Sequence, residues 1–234
     1  THSKTLEDKS LALAQIGRIY TDHLGQIDNG LEYFEQAADV WPDNHAATDI
    51  LLSHYWETEN WVRLDPILRS WLARETEGGD ESLLFERCKQ MAHCAEMLND
   101  DDTAIDYIRR ALDYDRTDLN ALEQCGRLLV KSESYVDAAT NFLTILAHHR
   151  DELESSKAAD IYQQLGRIKG KQGEMRKALD FFRKALDVDP ESLETQRALI
   201  ELHADRGDWN DVVHYQRQLL DALNDDTDRF EVFI

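Results

Sequence analysis

The feature that most constrains this chain is a spacing. Anchors at Gly17, Ala92 and Gly166 lie 75 and 74 residues apart, and anchors at Leu52, Gly126 and Ile200 lie 74 and 74 apart. Interleaved, the six recur every 34 to 40 residues. Around each anchor, apolar residues fall at helical spacing, stop at a short turn and resume at helical spacing. Such a unit cannot bury its apolar faces alone. It needs its neighbours, so the spacing calls for helix pairs stacked in a row.

The clearest unit is 158–190, AADIYQQLGRIKGKQGEMRKALDFFRKALDVDP. Tyr162, Leu165 and Gly166 share one face of a first helix, and Ala178, Phe182 and Ala185 share one face of a second. Gly173 and Glu174 form the turn between them, and Pro190 closes the unit. A large residue, Leu-Gly, Ala, an aromatic, Ala and Pro in this order resemble the tetratricopeptide repeat. The resemblance implies an all-α fold, a right-handed α-solenoid of tandem helix–turn–helix units, whose work is binding.

On that resemblance the units run about 10–44, 45–78, 85–118, 119–152, 159–192 and 193–226, with 227–234 opening a further unit or a cap. The first carries Leu13, Ile16, Gly17 and Tyr20, then Phe34, Ala37 and Pro42, and needs one extra residue in its turn. The second carries Leu51, Leu52 and Tyr55, then Leu64, Leu68 and Trp71, with Thr76 where Pro would close it. Met91, Ala92, Ala104 and Ile108 mark the third, and Cys125, Gly126, Ala138 and Phe142 mark the fourth. The fifth has Lys169 where the family prefers Tyr, and the sixth has Gln216 where the aromatic is expected. Extra residues follow units two and four, at 79–84 and 153–158, so the evolutionary unit is a pair of repeats. Trp61, Tyr135 and Trp209 open the second helices of the even units and are expected to pack there.

Charge narrows the partners. With 47 acids against 26 bases the net charge is −21, the wrong sign for nucleic acid or an anionic membrane surface. Asp outnumbers Glu and Arg outnumbers Lys, a bias resembling proteins of salt-loving organisms, with an acidic scaffold from an ordinary organism as the alternative; a bacterial source is expected. No apolar run approaches the roughly 18 residues of a membrane span. No charged-then-apolar leader is visible, which predicts a cytoplasmic protein.

Catalytic motifs are missing. There is no nucleophile elbow, no phosphate-binding Gly loop and no HExxH, and Gly78-Gly79 reads as a loop. Asp100, Asp101 and Asp102 lack the Gly and distal Glu of a calcium loop, and Asp102 reads as a helix cap. Cys88, Cys94 and Cys125 are three thiols with no CxxC, expected to be small buried residues. His148 and His149 are adjacent near a helix end and diverge, as do His93 and Cys94, and the His148-His149 pair is expected to interact with that helix end. No enzyme activity, no cofactor and no metal site is expected.

The resemblance also implies where partners bind. In the family the first helix of each unit lines the concave groove through positions 2, 5, 9, 12 and 13, one stripe at helical period. Position 9 holds Arg18, Ser53, His93, Arg127, Arg167 and Glu201, and position 13 holds Asp22, Glu57, Met97, Lys131, Lys171 and Asp205. Arg127, Lys131, Arg167 and Lys171 therefore form a central basic ridge, with Lys89 and His93 extending it. Arg18 is the position-9 cation of the first unit, and Trp56 stands on the groove side as a possible anchor. This set predicts a protein or peptide partner, acidic where it meets the ridge. Pairing along a helix, such as Glu123 with Arg127, is the competing account of the ridge. The Lys and Asn clamp of the family's chaperone-binding members is missing, since Ala14, Arg18 and Ile50 stand at those positions. The apolar tail Phe230, Val232, Phe233 and Ile234 predicts self-association or docking. A regulatory sensor arm of a larger protein, changing curvature on binding a peptide or small ligand, is the alternative function.

Overall fold

The computed structural model describes residues 2–74 and 80–222. All regular structure among them is helical. The α-helices are α1 (His2–Arg18), α2 (Ile27–Val40), α3 (His45–Glu57), α4 (Trp61–Arg74), α5 (Glu81–Met97) and α6 (Asp101–Tyr114), then α7 (Leu119–Lys131), α8 (Tyr135–His148), α9 (Ser155–Lys171), α10 (Met175–Val188), α11 (Leu193–Arg206) and α12 (Trp209–Ala222). Consecutive helices pair as hairpins, and the fold is an all-α solenoid of such pairs. The chain divides into two compact units, Thr1–Asp115 and Arg116–Ile234, with three described pairs in each. The Gly78-Gly79 loop, Thr76 and the apolar tail lie outside the described residues.

One turn recurs inside the pairs. A residue in the left-handed conformation ends the first helix: Glu59 (φ 52°), Asn99 (60°), Glu133 (60°), Gly173 (75°) and Gly207 (76°). The next N–H then reaches back five residues, from Asn60 to Tyr55, Asp100 to Ala95, Ser134 to Leu129, Glu174 to Lys169 and Asp208 to His203, at 2.8–2.9 Å. This is the closing bond that satisfies a helix's last carbonyls, and it reverses the chain within two residues. The first pair carries the extra residue anticipated in its turn. The chain absorbs it as a π-helical turn, Ile19–His23, in which the Leu24 N–H bonds the Ile19 carbonyl at 3.1 Å. Gly25 (φ 65°) then takes the left-handed position.

The caps correct one expectation. Asp100 caps α6 by accepting the Thr103 N–H at 3.2 Å, and Asp102 lies inside the first turn. Asn44, Asp80, Asp118 and Ser192 cap α3, α5, α7 and α11 in the same manner. Asn44 also donates to the buried Ser10 hydroxyl, which donates to the Ala37 carbonyl, so one polar chain ties α1, α2 and α3.

The anchors meet their aromatics across each pair. A Cβ placed on Gly166 would lie 2.8 Å from the Phe182 ring, one on Gly126 2.9 Å from Phe142, and one on Gly17 3.0 Å from Phe34. The missing side chain is what lets the ring lie across the first helix. Where the anchor is larger the opposite residue is smaller: Ala92 with Ile108, and Leu52 with Leu68, all buried.

The 74-residue period has a physical form. Helices α1, α5 and α9 have 17 residues, whereas α3 and α7 have 13 and α11 has 14. Part of each inserted stretch thus becomes one more helical turn, about 6 Å of added length, at the start of α5 and of α9.

Cys88, Cys94 and Cys125 are free and buried. Burial pushes the thiols of Cys88 and Cys94 up to about 11, which leaves them un-ionised and unreactive at neutral pH. The even-unit aromatics do not behave alike: Trp61 is half-buried, but Trp209 is 65% exposed and does not pack as expected.

His149 finds a partner beyond its own helix. Its Nε2 bonds the Thr117 carbonyl just before α7, and Nδ1 lies 3.5 Å from Glu152. The carbonyl, then Glu152, hold the imidazole above its ordinary 6.5. A raised histidine contributes stability that is fully present below the unfolded value and is lost as pH rises through the folded one. The stability difference between wild type and His149→Gln should therefore shrink from about pH 6 to pH 8. Thermal melts at stepped pH measure this, and a difference that grows with pH would refute it.

Candidate functional site

In the second compact unit α9 is flanked by two clefts. One, of about 350 Å³, opens between α9 and α11. Gly166 and Gly170 leave room on the α9 side, Met175, Phe182 and Leu202 supply apolar surface, and Arg167 and Lys171 on α9 face Glu201 and Asp205 on α11. These four charged residues occupy positions 9 and 13 of successive repeats. The other cleft, of about 270 Å³, lies between α7 and α9 and is lined by Arg127, Glu123, Lys157, Asp160, Gln163 and Glu194 among others.

Their electrostatics differ. Arg167 bonds Glu194 at 2.9 Å on the exposed rim, a contact worth little net energy. Lys157 bonds Glu123 across the α7–α9 cleft. Burial, then the nearby Glu194, pushes the Asp160 carboxyl upward. Gln163 is 2% exposed and its Nε2 has no hydrogen-bond partner, so a buried donor lines the cleft unsatisfied. Lys131 ends α7 and is exposed, outside both clefts.

The other candidates lie in the first compact unit. Trp56 on α3 and His93 on α5 are brought together with Trp61: the ring centroids are 5.5, 5.4 and 5.2 Å apart, making one aromatic cluster. The Cys94 thiol donates to the Trp61 carbonyl at 3.4 Å beneath it. Lys89 lies 4.6 Å over the Phe85 ring and 3.6 Å from Glu86. Arg18 is exposed at the end of α1. Arg87 on α5, half-buried over Trp71, bonds Asp49 on α3 at 3.1 Å.

Residues that the sequence did not single out are Lys157, Asp160, Gln163 and Glu194. Lys157 was legible in part, since it lies in the inserted stretch 153–158 that becomes the first turn of α9. Glu194 was masked because position 2 carries no distinctive residue type. Lys169, flagged for departing from the family Tyr, bonds Gln172 at 2.8 Å and Glu174 at 2.9 Å. It replaces aromatic packing by an ion pair across the turn. Lys177, then Lys169, hold the Glu174 carboxyl below its ordinary range.

Comparison with known proteins bears on the helix-pair fold. The tetratricopeptide repeat family matches at residues 11–44 and 159–192. Comparison with curated protein sequences gives no match. Among solved structures, residues 41-end of MamA from Desulfovibrio magneticus RS-1 superpose with a TM-score of 0.61 at 17% identity, covering 77% of this chain and 95% of that one. YrrB, described as a TPR protein with an unusual peptide-binding site, superposes with a TM-score of 0.57 at 16% identity, covering 83% of this chain and 95% of that one. Two stretches of the chain match the tetratricopeptide repeat, and the solved structures share its helix-pair fold.

Proposed function

We propose that the chain is a non-catalytic scaffold that holds a peptide or partner-protein segment in its concave groove, with α9 as one wall of that groove. The observation that carries this reading is the α9–α11 cleft. Phe182 and Leu202 offer an apolar floor beneath Arg167 and Lys171. That combination suits a segment with an apolar side chain beside a carboxylate, since the guanidinium fork takes a carboxylate through two hydrogen bonds. The peptide-binding site named for YrrB supports the reading by analogy of fold. Arg127 and Lys131 extend the proposed surface within the second compact unit, and Lys89, His93, Trp56 and Arg18 are the proposed partner-binding residues of the first. The acid excess favours a protein partner over nucleic acid or membrane.

Calorimetric titration with an acidic and a matched neutral peptide tests the proposal. Arg127→Glu/Arg167→Glu should weaken the acidic peptide by about tenfold or more, about 1.4 kcal/mol, and leave the neutral one nearly unchanged. Gly170→Leu, which fills the cleft, should weaken both. Unchanged affinity for the acidic peptide in the double variant discards the ridge, and unchanged affinity in Gly170→Leu discards the cleft.

A further inference from the structure

The sixth pair holds a cluster that the groove does not use. His203 on α11 is 3% exposed, and neither ring nitrogen has a hydrogen-bond partner. Its ring stacks on Tyr215, centroids 5.5 Å apart, which fixes the imidazole plane. Nδ1 then faces two carboxylates at once: Asp208 Oδ2 and Asp211 Oδ2 each lie 3.6 Å away, too far for a hydrogen bond. All three atoms lie within 4.8 Å of one another. The turn assembles them. Gly207 reverses the chain, Asp208 follows it, and Asp211 sits in the first turn of α12, where the helix N-terminus favours negative charge.

We propose that His203, Asp208 and Asp211 bind a divalent transition-metal ion. A proton on Nδ1 can bond only one of the two carboxylates and leaves the other facing it without a bond. An ion seated between the three atoms satisfies all of them. Metal–nitrogen and metal–oxygen bonds of about 2.0–2.2 Å place neighbouring ligand atoms about 3.3 Å apart in a tetrahedral site. The two nitrogen–oxygen distances of 3.6 Å need closure by only a few tenths of an ångström, and the ligand atoms of the two carboxylates lie within 4.8 Å of each other, a gap that rotation of the exposed Asp211 side chain can close. One imidazole with two carboxylates suits zinc, cobalt or manganese; magnesium and calcium prefer oxygen alone, and no thiolate is present to favour copper(I). The ion has a way in, because the Asp211 side chain is 57% exposed. It also has a competitor: Arg206 Nε lies 3.0 Å from Asp208 Oδ2 and shares that oxygen. Sequence reading expected no metal site because the nine histidines do not converge on one another; here a single buried histidine converges with two aspartates across a turn.

The test is titration of the whole chain with cobalt(II) and zinc(II) in excess magnesium, which occupies all-carboxylate surface sites. One ion per chain, visible d–d absorption without a thiolate charge-transfer band, and a weakening of about tenfold or more in both Asp211→Asn and His203→Gln support the site. His203→Gln alters a buried residue, so a folding defect there leaves Asp211→Asn as the deciding variant. No saturable binding in excess magnesium, or equal affinity in Asp211→Asn, overturns the proposal.

Discussion

Phe142→Ala should cost about 3–5 kcal/mol, the usual range for removing a buried ring. Phe142 is 3% exposed and lies across Gly126, so truncation opens a void that no neighbouring side chain fills. Gly126→Leu should also destabilise, by about 1–3 kcal/mol, because its Cβ alone would fall 2.9 Å from the ring. The informative variant carries Gly126→Leu and Phe142→Leu together. It copies Leu52 and Leu68, which occupy the same register 74 residues earlier and are 2% and 0% exposed. The double change should be milder than the sum of its single changes by about 1–3 kcal/mol. Urea denaturation followed by circular dichroism measures wild type, Phe142→Ala, and the cycle of Gly126→Leu, Phe142→Leu and the double variant. Strict additivity would show that anchor and opposite residue are not one packing unit.

The turns give the second large effect, and in the opposite direction. Glu59 and Glu133 hold φ of 52° and 60°, where a Cβ crowds the backbone and glycine does not. Gly173 and Gly207 already occupy the same place in other pairs. Glu59→Gly and Glu133→Gly should each stabilise by about 0.5–1 kcal/mol, net of the extra freedom glycine gives the unfolded chain. Each kilocalorie corresponds to about 2–4 °C in a chain of this size. The two sites lie in different compact units, so their effects should add. Asn99 at 60° should gain least, because asparagine tolerates this conformation. Gly173→Ala should lose about 1 kcal/mol. A Glu133→Gly variant that melts lower than wild type would rule out conformational strain at that turn.

Much of the fold was legible because repetition confirms itself. A single Leu-Gly before an Ala and an aromatic means little, but its recurrence located the anchor–aromatic packing of Gly17 with Phe34, Gly126 with Phe142 and Gly166 with Phe182. The extra residue between Gly17 and Phe34 was equally visible, although its π-helical form was not, since counting residues does not say which hydrogen bond stretches. Errors arose where several residues of one type stood in a row. Of Asp100, Asp101 and Asp102, composition cannot choose the cap; the reach from Asn99's left-handed backbone chooses Asp100. The clefts were least legible. Spacing along one helix suggests Arg127 as a neighbour of Glu123, but gives no sign of Lys157, 34 residues away on the next stacked helix, which bonds the Glu123 carboxylate. Spacing gives contacts within a helix; contacts between helices depend on the length of α9, which the sequence signalled only as an insertion.

The turns and the junctions divide tolerance between them. Inside a pair, two residues reverse the chain, and the first pair accommodates one more only by distorting its helix. Between pairs, six additional residues are taken up twice, partly as a new helical turn. The pair is therefore the cassette and the junction is the splice point. A graft, a duplication or a circular permutation cut near residue 116 or 153 would leave every reversal intact, while a cut at 133 or 173 would sever one. Lengthening such a protein by whole cassettes changes how much partner it can hold without redesigning how any one of them folds.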